Sequence, residues 1–115
     1  MGEGDVSREL LLEAAENLRR AMELALGKLE ARKVRNADKV RFMRVLTREV
    51  EAAVGVAEAL KDIEVKGREK DDFAFYLSRL EARVPQMYVT KKFSKILRKF
   101  EVDSVVRRAS RRRRG

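Results

Sequence analysis

The chain contains no cysteine and no histidine. Without cysteine there is neither a disulfide framework nor a thiolate metal site. The familiar nucleophile and base pairs of hydrolytic enzymes also lose their usual members. Zinc would have only carboxylates to hold it, which is a poor set of ligands for that ion. Proline occurs once and glycine six times, with four of the glycines at residues 2, 4, 67 and 115, so most of the chain is free to be helical. Tryptophan is absent, and no apolar run exceeds five residues. A membrane-spanning helix needs about 20. Residues 1–6 carry Glu3 and Asp5 with no basic flank leading into an apolar run, so no secretory signal is expected and a cytoplasmic location is.

What is abundant is charge, and its placement is uneven. Residues 1–87 hold 17 basic and 17 acidic groups, whereas residues 88–115 hold 11 basic and 2 acidic groups. The whole net charge of +9 therefore belongs to the last quarter of the chain. With 115 residues there is material for one core, and the expected division is a helical domain over 1–106 followed by an arginine-rich flexible tail over 107–115.

Periodicity supplies the fold class. Leu11, Ala15, Leu18, Met22, Ala25 and Leu29 recur at alternating intervals of four and three, the seam of a helix packed along a partner. Met43, Leu46, Val50, Ala53, Ala57 and Leu60 repeat the pattern. Joined by the polar stretch Arg32 to Asp38, the two runs predict a long antiparallel helical hairpin. The first helix is expected from a cap at Ser7 or Asp5 to about Lys33, and the second from a cap at Asn36 or Asp38 to about Asp62. Leu10, Ala14, Ala21 and Leu24 widen the first apolar face, and Phe42, Val45, Ala52, Val54, Val56 and Ala59 widen the second, giving a third helix surface to use. Gly27 and Gly55 lie far from their seams, which fits either a third element approaching the backbone or, as the favoured reading, tolerated surface variation.

Ile63 to Lys70 reads as a loop, with a brief strand at Ile63 and Val65 as an alternative. A third helix, capped by Asp71 or Asp72, carries Phe73, Leu77, Leu80 and Val84, and Pro85 ends it. Thr90 caps a fourth helix with Phe93, Ile96, Leu97 and Phe100 on its apolar face. The expected architecture is thus all-α, a bundle of three to four helices built on the hairpin.

The functional signal is polybasic. Lys91, Lys92, Lys95, Arg98 and Lys99 surround the fourth helix, and Arg107, Arg108, Arg111, Arg112, Arg113 and Arg114 form an arm whose like charges repel unless an anion orders them. Arginine pairs with two phosphate oxygens at once, which suits both sets to a phosphate backbone. A second patch comprises Arg32, Lys33, Arg35, Lys39, Arg41, Arg44 and Arg48 around the hairpin turn. The reading that both patches bind gains if they share one face of the folded chain. Tyr88 lies outside the periodic core and is the candidate for stacking on a base, with a satisfied, partly buried phenol as the favoured alternative. The third and fourth helices invite comparison with a helix-turn-helix, but the connection is long and lacks glycine, and the fourth helix offers lysines where base readers offer Asn, Gln or Arg. The stretch ending at Ser110 is similar to a basophilic kinase target, where a phosphate would weaken anion binding.

The expected function is non-catalytic binding of RNA or DNA through its backbone, with a small ribonucleoprotein subunit as the larger setting. The alternative is a protein interaction module or oligomeric scaffold that associates through helices one and two, its basic tail meeting an acidic partner. No cofactor, metal or membrane partner is expected.

Overall fold

A computed structural model describes residues 3–61 and 69–101. Among these residues the chain forms four α-helices and no strand: α1 over Glu3–Glu30, α2 over Asn36–Lys61, α3 over Glu69–Arg83, and α4 over residues 91–101. A short 3-10 turn at Gln86–Tyr88 precedes α4. The alternative strand at Ile63 and Val65, the end of the helical domain and the arm from Arg107 onward lie outside the described residues.

The hairpin forms on the predicted seam. Met43, Leu46, Val50, Ala53, Ala57 and Leu60 are all buried on α2, facing Ala15, Met22, Ala25 and Leu29 of α1. Alanines at four of these positions let the two axes come close along their length. Thr47 is the one buried polar residue among the described residues, and its hydroxyl donates to the carbonyl of Met43 at 2.8 Å, which removes the cost of placing an oxygen there.

The second pair of helices covers one face of the first. Arg83, at the end of α3, pairs with Glu23 and Glu30 in the second half of α1, while Asp72 and Phe73 line a cavity with Leu12 and Ala15 in its first half. α3 therefore runs parallel to α1. Lys92, at the start of α4, meets Glu51, and the ammonium of Lys61 at the end of α2 lies 4.6 Å from the centre of the Phe100 ring, so α4 runs parallel to α2. The Ser94 hydroxyl donates to Glu81 at 2.6 Å and ties α4 to α3. The result is an up, down, up, down bundle whose core also takes in Phe73, Leu77, Leu80 and Val84 from α3 and Phe93, Leu97 and Phe100 from α4. None of the described helices is long and apolar enough to cross a membrane.

Several helix ends differ from expectation. α1 begins at Glu3, so the two expected caps, Ser7 and Asp5, both lie inside the helix. It stops at Glu30, three residues before Lys33, where Arg32, Lys33 and Arg35 crowd positive charge. α3 begins at Glu69, so Asp71 and Asp72 lie within its first turn and are not its cap. The Lys39 amide donates to the Arg35 carbonyl at 2.9 Å, which makes Arg35 the boundary residue of α2 in place of Asn36 or Asp38. Thr90 does cap α4: its hydroxyl accepts from the Phe93 amide at 3.2 Å.

The third helix also does not use the strip expected for it. α3 packs on the flank of α1 that carries Leu12, Arg19 and Glu23, leaving Leu10 and Leu24 on the other flank 61% and 74% exposed. The glycines are surface variation, as favoured, and mark no close approach, since a Cβ at Gly27 or Gly55 would meet nothing within 4 Å.

Two carboxylates respond oppositely to their surroundings. Glu23 accepts two hydrogen bonds from the Arg83 guanidinium, one of them at 2.9 Å, and a third from the Tyr76 hydroxyl at 3.2 Å. Arg83 holds its carboxyl below the usual range, while burial, aided by the adjacent Glu23 charge, pushes the Tyr76 hydroxyl up to about 12. Glu49 has only burial acting on it, which pushes its carboxyl up, and its Oε2 atom is buried without a hydrogen-bond partner.

Replacing Gly27 or Gly55 by alanine should stabilise the protein by about 0.5–1 kcal/mol each in urea unfolding, since each is a helical glycine in open space. Glu23→Gln should cost about 0.5–1 kcal/mol at pH 7. That loss should disappear as the pH falls through the folded value of Glu23, because a depressed carboxylate contributes only while ionised. Glu49→Gln should instead raise the melting temperature at pH 7, and the gain should vanish once acid has protonated the carboxyl in both folded and unfolded chains.

Candidate nucleic-acid interface

The polar end of the bundle is where its connections meet. Pro85 fixes the exit from α3 with φ −55° and ψ 128°, and the chain then makes a tight turn in which the Tyr88 amide donates to the Pro85 carbonyl at 2.9 Å. This turn brings Tyr88 to the start of α2, where its hydroxyl donates to Asn36 Oδ1 at 2.7 Å. The Lys39 ammonium lies 5.7 Å from the centre of the Tyr88 ring. Tyr88 is accordingly half-buried and holds the α3–α4 connection against the hairpin turn. Lys39 takes up one face of its ring, while Tyr88 also lines an adjoining groove.

Beside this clasp lies a groove of about 540 Å³ between α2 and the chain leading into α4. Arg44 and Arg48 of α2 line one side, one helical turn apart on the same face, and Thr90 and Lys92 line the other. Its floor is apolar, including Met43 and Val40, and Met87 stands at its edge 82% exposed. Exposed methionine next to cations forms a surface with both an apolar and an anionic partner to satisfy.

The groove joins the two basic patches that the sequence separates. Arg44 and Arg48 belong to the hairpin patch and Lys92 to the fourth helix, and all three are exposed. Lys92 is also held 3.0 Å from Glu51, so one cation of the rim already has a carboxylate partner. Lys91, Lys95 and Arg98 recur at four and three residues on α4 and are exposed on the side away from Phe93, Leu97 and Phe100. Lys99 is exposed on the same helix. Arg32, Lys33 and Arg35 are exposed in the hairpin turn, and Arg41 is exposed one turn before Arg44 and Arg48, outside the lining of the groove. Lys39 is half-buried against Tyr88. Arg107, Arg108 and Arg111 to Arg114 lie outside the described residues.

Sequence periodicity found Met43 but missed the exposed apolar residues of this site. Val40 and Met87 stand outside both seams, and their exposure became visible only once α4 was set beside α2. The signal available in the sequence was a methionine in a connection otherwise made of Pro85, Gln86 and Tyr88.

A larger cavity of about 730 Å³ between α1 and α3 has a different character. Its rim contains Glu16 and Asp72 as well as Arg19 and Arg79, and Arg19 donates to both oxygens of Glu16 at 3.2 and 2.7 Å. With two charges of each sign, these groups give no net attraction for an anion. Among the described residues no group of His, Cys, Asp or Glu side chains is placed to hold a metal ion. No family model, curated protein or solved structure matches the chain.

Tyr88→Phe should lower stability by about 0.5–1 kcal/mol, the ordinary net value of one hydrogen bond. In a double-mutant cycle with Asn36→Ala, most of that loss should be absent when Asn36 is already alanine.

Proposed function

We propose that this protein is a non-catalytic nucleic-acid-binding subunit that holds a phosphate backbone across the α2–α4 groove. The observation that carries the reading is the meeting of Arg44 and Arg48 with Lys92 on one lining, which makes a single cationic surface from segments more than 40 residues apart. Phosphates are attracted there by charge and held by the forked donors of the arginines. The exposed Lys91, Lys95 and Arg98 extend the surface along α4, and the arginines of residues 107–114 follow α4 in sequence, adding charge to the same quarter of the chain.

The apolar floor favours a strand with unpaired bases. A duplex hides its base faces within the stack, whereas a single strand can lay a base on Met87 and Val40 while its phosphates meet the cations. Single-stranded RNA, alone or in a ribonucleoprotein, is therefore the preferred ligand. Nothing in this arrangement reads base edges, so binding follows charge and strandedness and is insensitive to sequence.

Titration of the full chain with single-stranded RNA, duplex DNA and polyglutamate at 50 and 200 mM salt tests the reading. Single-stranded RNA should bind most tightly. Arg44→Gln and Arg48→Gln should each lower the logarithmic salt slope by roughly one, and Met87→Ala should weaken RNA binding while leaving that slope unchanged. Glu51→Gln should tighten binding by releasing Lys92. Failure to bind either nucleic acid, with polyglutamate retained, would move the assignment to an acidic protein partner. RNA binding that is lost in residues 1–101 and indifferent to the arginine substitutions would place the whole activity in the arm.

A further inference from the structure

α3 and α4 cover the same side of the α1–α2 hairpin, through Glu23 on α1 and Glu51 on α2. The opposite side carries an apolar strip. Leu10, Ala14, Ala21 and Leu24 fall on one face of α1 by their helical spacing, and Val45, Ala52 and Val56 fall on the adjoining face of α2. Leu10, Leu24 and Val45 are 61%, 74% and 46% exposed. Among the described residues no other helix lies against this face. Glu49 shares the strip, between Val45 and Ala52, and leaves one buried carboxylate oxygen without a partner. A face of this kind resembles half of an interface more than a surface designed for water.

The charge on the hairpin says which occupant fits. At the open end, residues 3–16 and 49–61 together hold eight acidic and two basic groups. At the turn end, residues 28–48 hold eight basic and two acidic groups. Some of these groups, Glu16 and Glu51 at one end and Lys39, Arg44 and Arg48 at the other, face the side that α3 and α4 occupy. The ends nevertheless remain opposite poles of the hairpin, and opposite poles come together when a second hairpin lies across the first in the reverse direction. The twofold axis of such a pair sets each acidic end against the partner's basic end and apolar strip against apolar strip. A parallel pairing would set like charges together.

The dimensions are adequate. Two adjacent helices of this length present an outer face on the order of 40 by 20 Å, on the order of 800 Å² and therefore about what each partner contributes to an interface of standard size. We infer that the outer face of the α1–α2 hairpin is the interface for a second copy of this chain, paired head to tail about a twofold axis. The α2–α4 groove lies on the other side of the hairpin and remains open in both copies. A dimer consequently offers two cationic grooves to one polyanion, and the second engages at high effective concentration. The dimer itself does not depend on nucleic-acid binding.

Sedimentation velocity on the full chain, freed of nucleic acid, tests the inference between about 1 and 100 μM. The expected mass at the upper end is twice 13.3 kDa. Leu24→Glu should weaken association roughly tenfold or more with unchanged helical circular dichroism, because Leu24 is exposed in the single chain. Glu49→Gln should tighten it, since a neutral amide is cheaper to bury than a carboxylate. Raising sodium chloride from 50 to 300 mM should weaken the wild-type dimer, as opposed charges across an interface require.

A monomeric mass throughout overturns the inference. A dimer indifferent to Leu24→Glu overturns it as well, by placing the contact elsewhere, and a dimer strengthened by sodium chloride excludes the reversed orientation. A monomer whose melting temperature falls sharply with Leu24→Glu would assign the strip to another part of the same chain. None of these outcomes bears on the groove, whose own test is RNA binding by Arg44 and Arg48 variants at concentrations where the chain is monomeric.

Discussion

Close packing of α1 against α2 is the constraint from which the remaining arrangement follows. Ala15, Ala25, Ala53 and Ala57 on the facing surfaces leave too little side chain between the axes to hold them apart, while Met22, Leu29, Leu46 and Leu60 fill the layers between. Once the hairpin is closed, its remaining apolar surface divides into two flanks. The flank bearing Leu26 and Thr47 receives α3 and α4, and the flank bearing Leu24 and Val45 does not. The orientation of the second pair is then limited by connection length, since α3 must start near the end of α2 and α4 must start near the end of α3.

Much of this was legible in the residues. The alternation of three and four residue intervals on both long helices gave the hairpin, and the intervals of Phe73, Leu77, Leu80 and Val84 gave α3. Pro85 and Thr90 bracketed the turn, one by removing helical geometry and the other by offering a hydroxyl to the first free amides. Helix starts were harder to read. The helices begin at Glu3 and Glu69, in stretches of sequence with several acidic residues, where no single residue stands out as a cap. Which flank of the hairpin would be covered was not legible at all. Both flanks carry leucine, valine and alanine, and the choice depends on the paths of connections rather than on hydrophobicity.

The candidate site divides in the same way. Its cations were evident, because clustered lysine and arginine are visible in a linear string. That Arg44 and Arg48 share a groove with Lys92 was not, since the contact depends on the parallel course of α2 and α4. Tyr88, standing outside any periodic set, reads either as a partly buried phenol with its hydroxyl satisfied or as a stacking platform, and the structure shows the first, with the ring fastening two connections through Asn36 and Lys39. The exposed Met87 was hidden, since a methionine in a short connection draws no attention until its surroundings are known.

The pairing of Lys92 with Glu51 has a consequence for selectivity. The carboxylate is tethered, so it competes for the ammonium at a concentration that dilution cannot reduce. A small singly charged anion must displace it unaided and gains little by doing so. A polymer already anchored on Arg44 and Arg48 competes from its own tether, on equal terms. Under the proposed function, the groove would thereby filter by valency, disfavouring small singly charged anions while yielding to long chains.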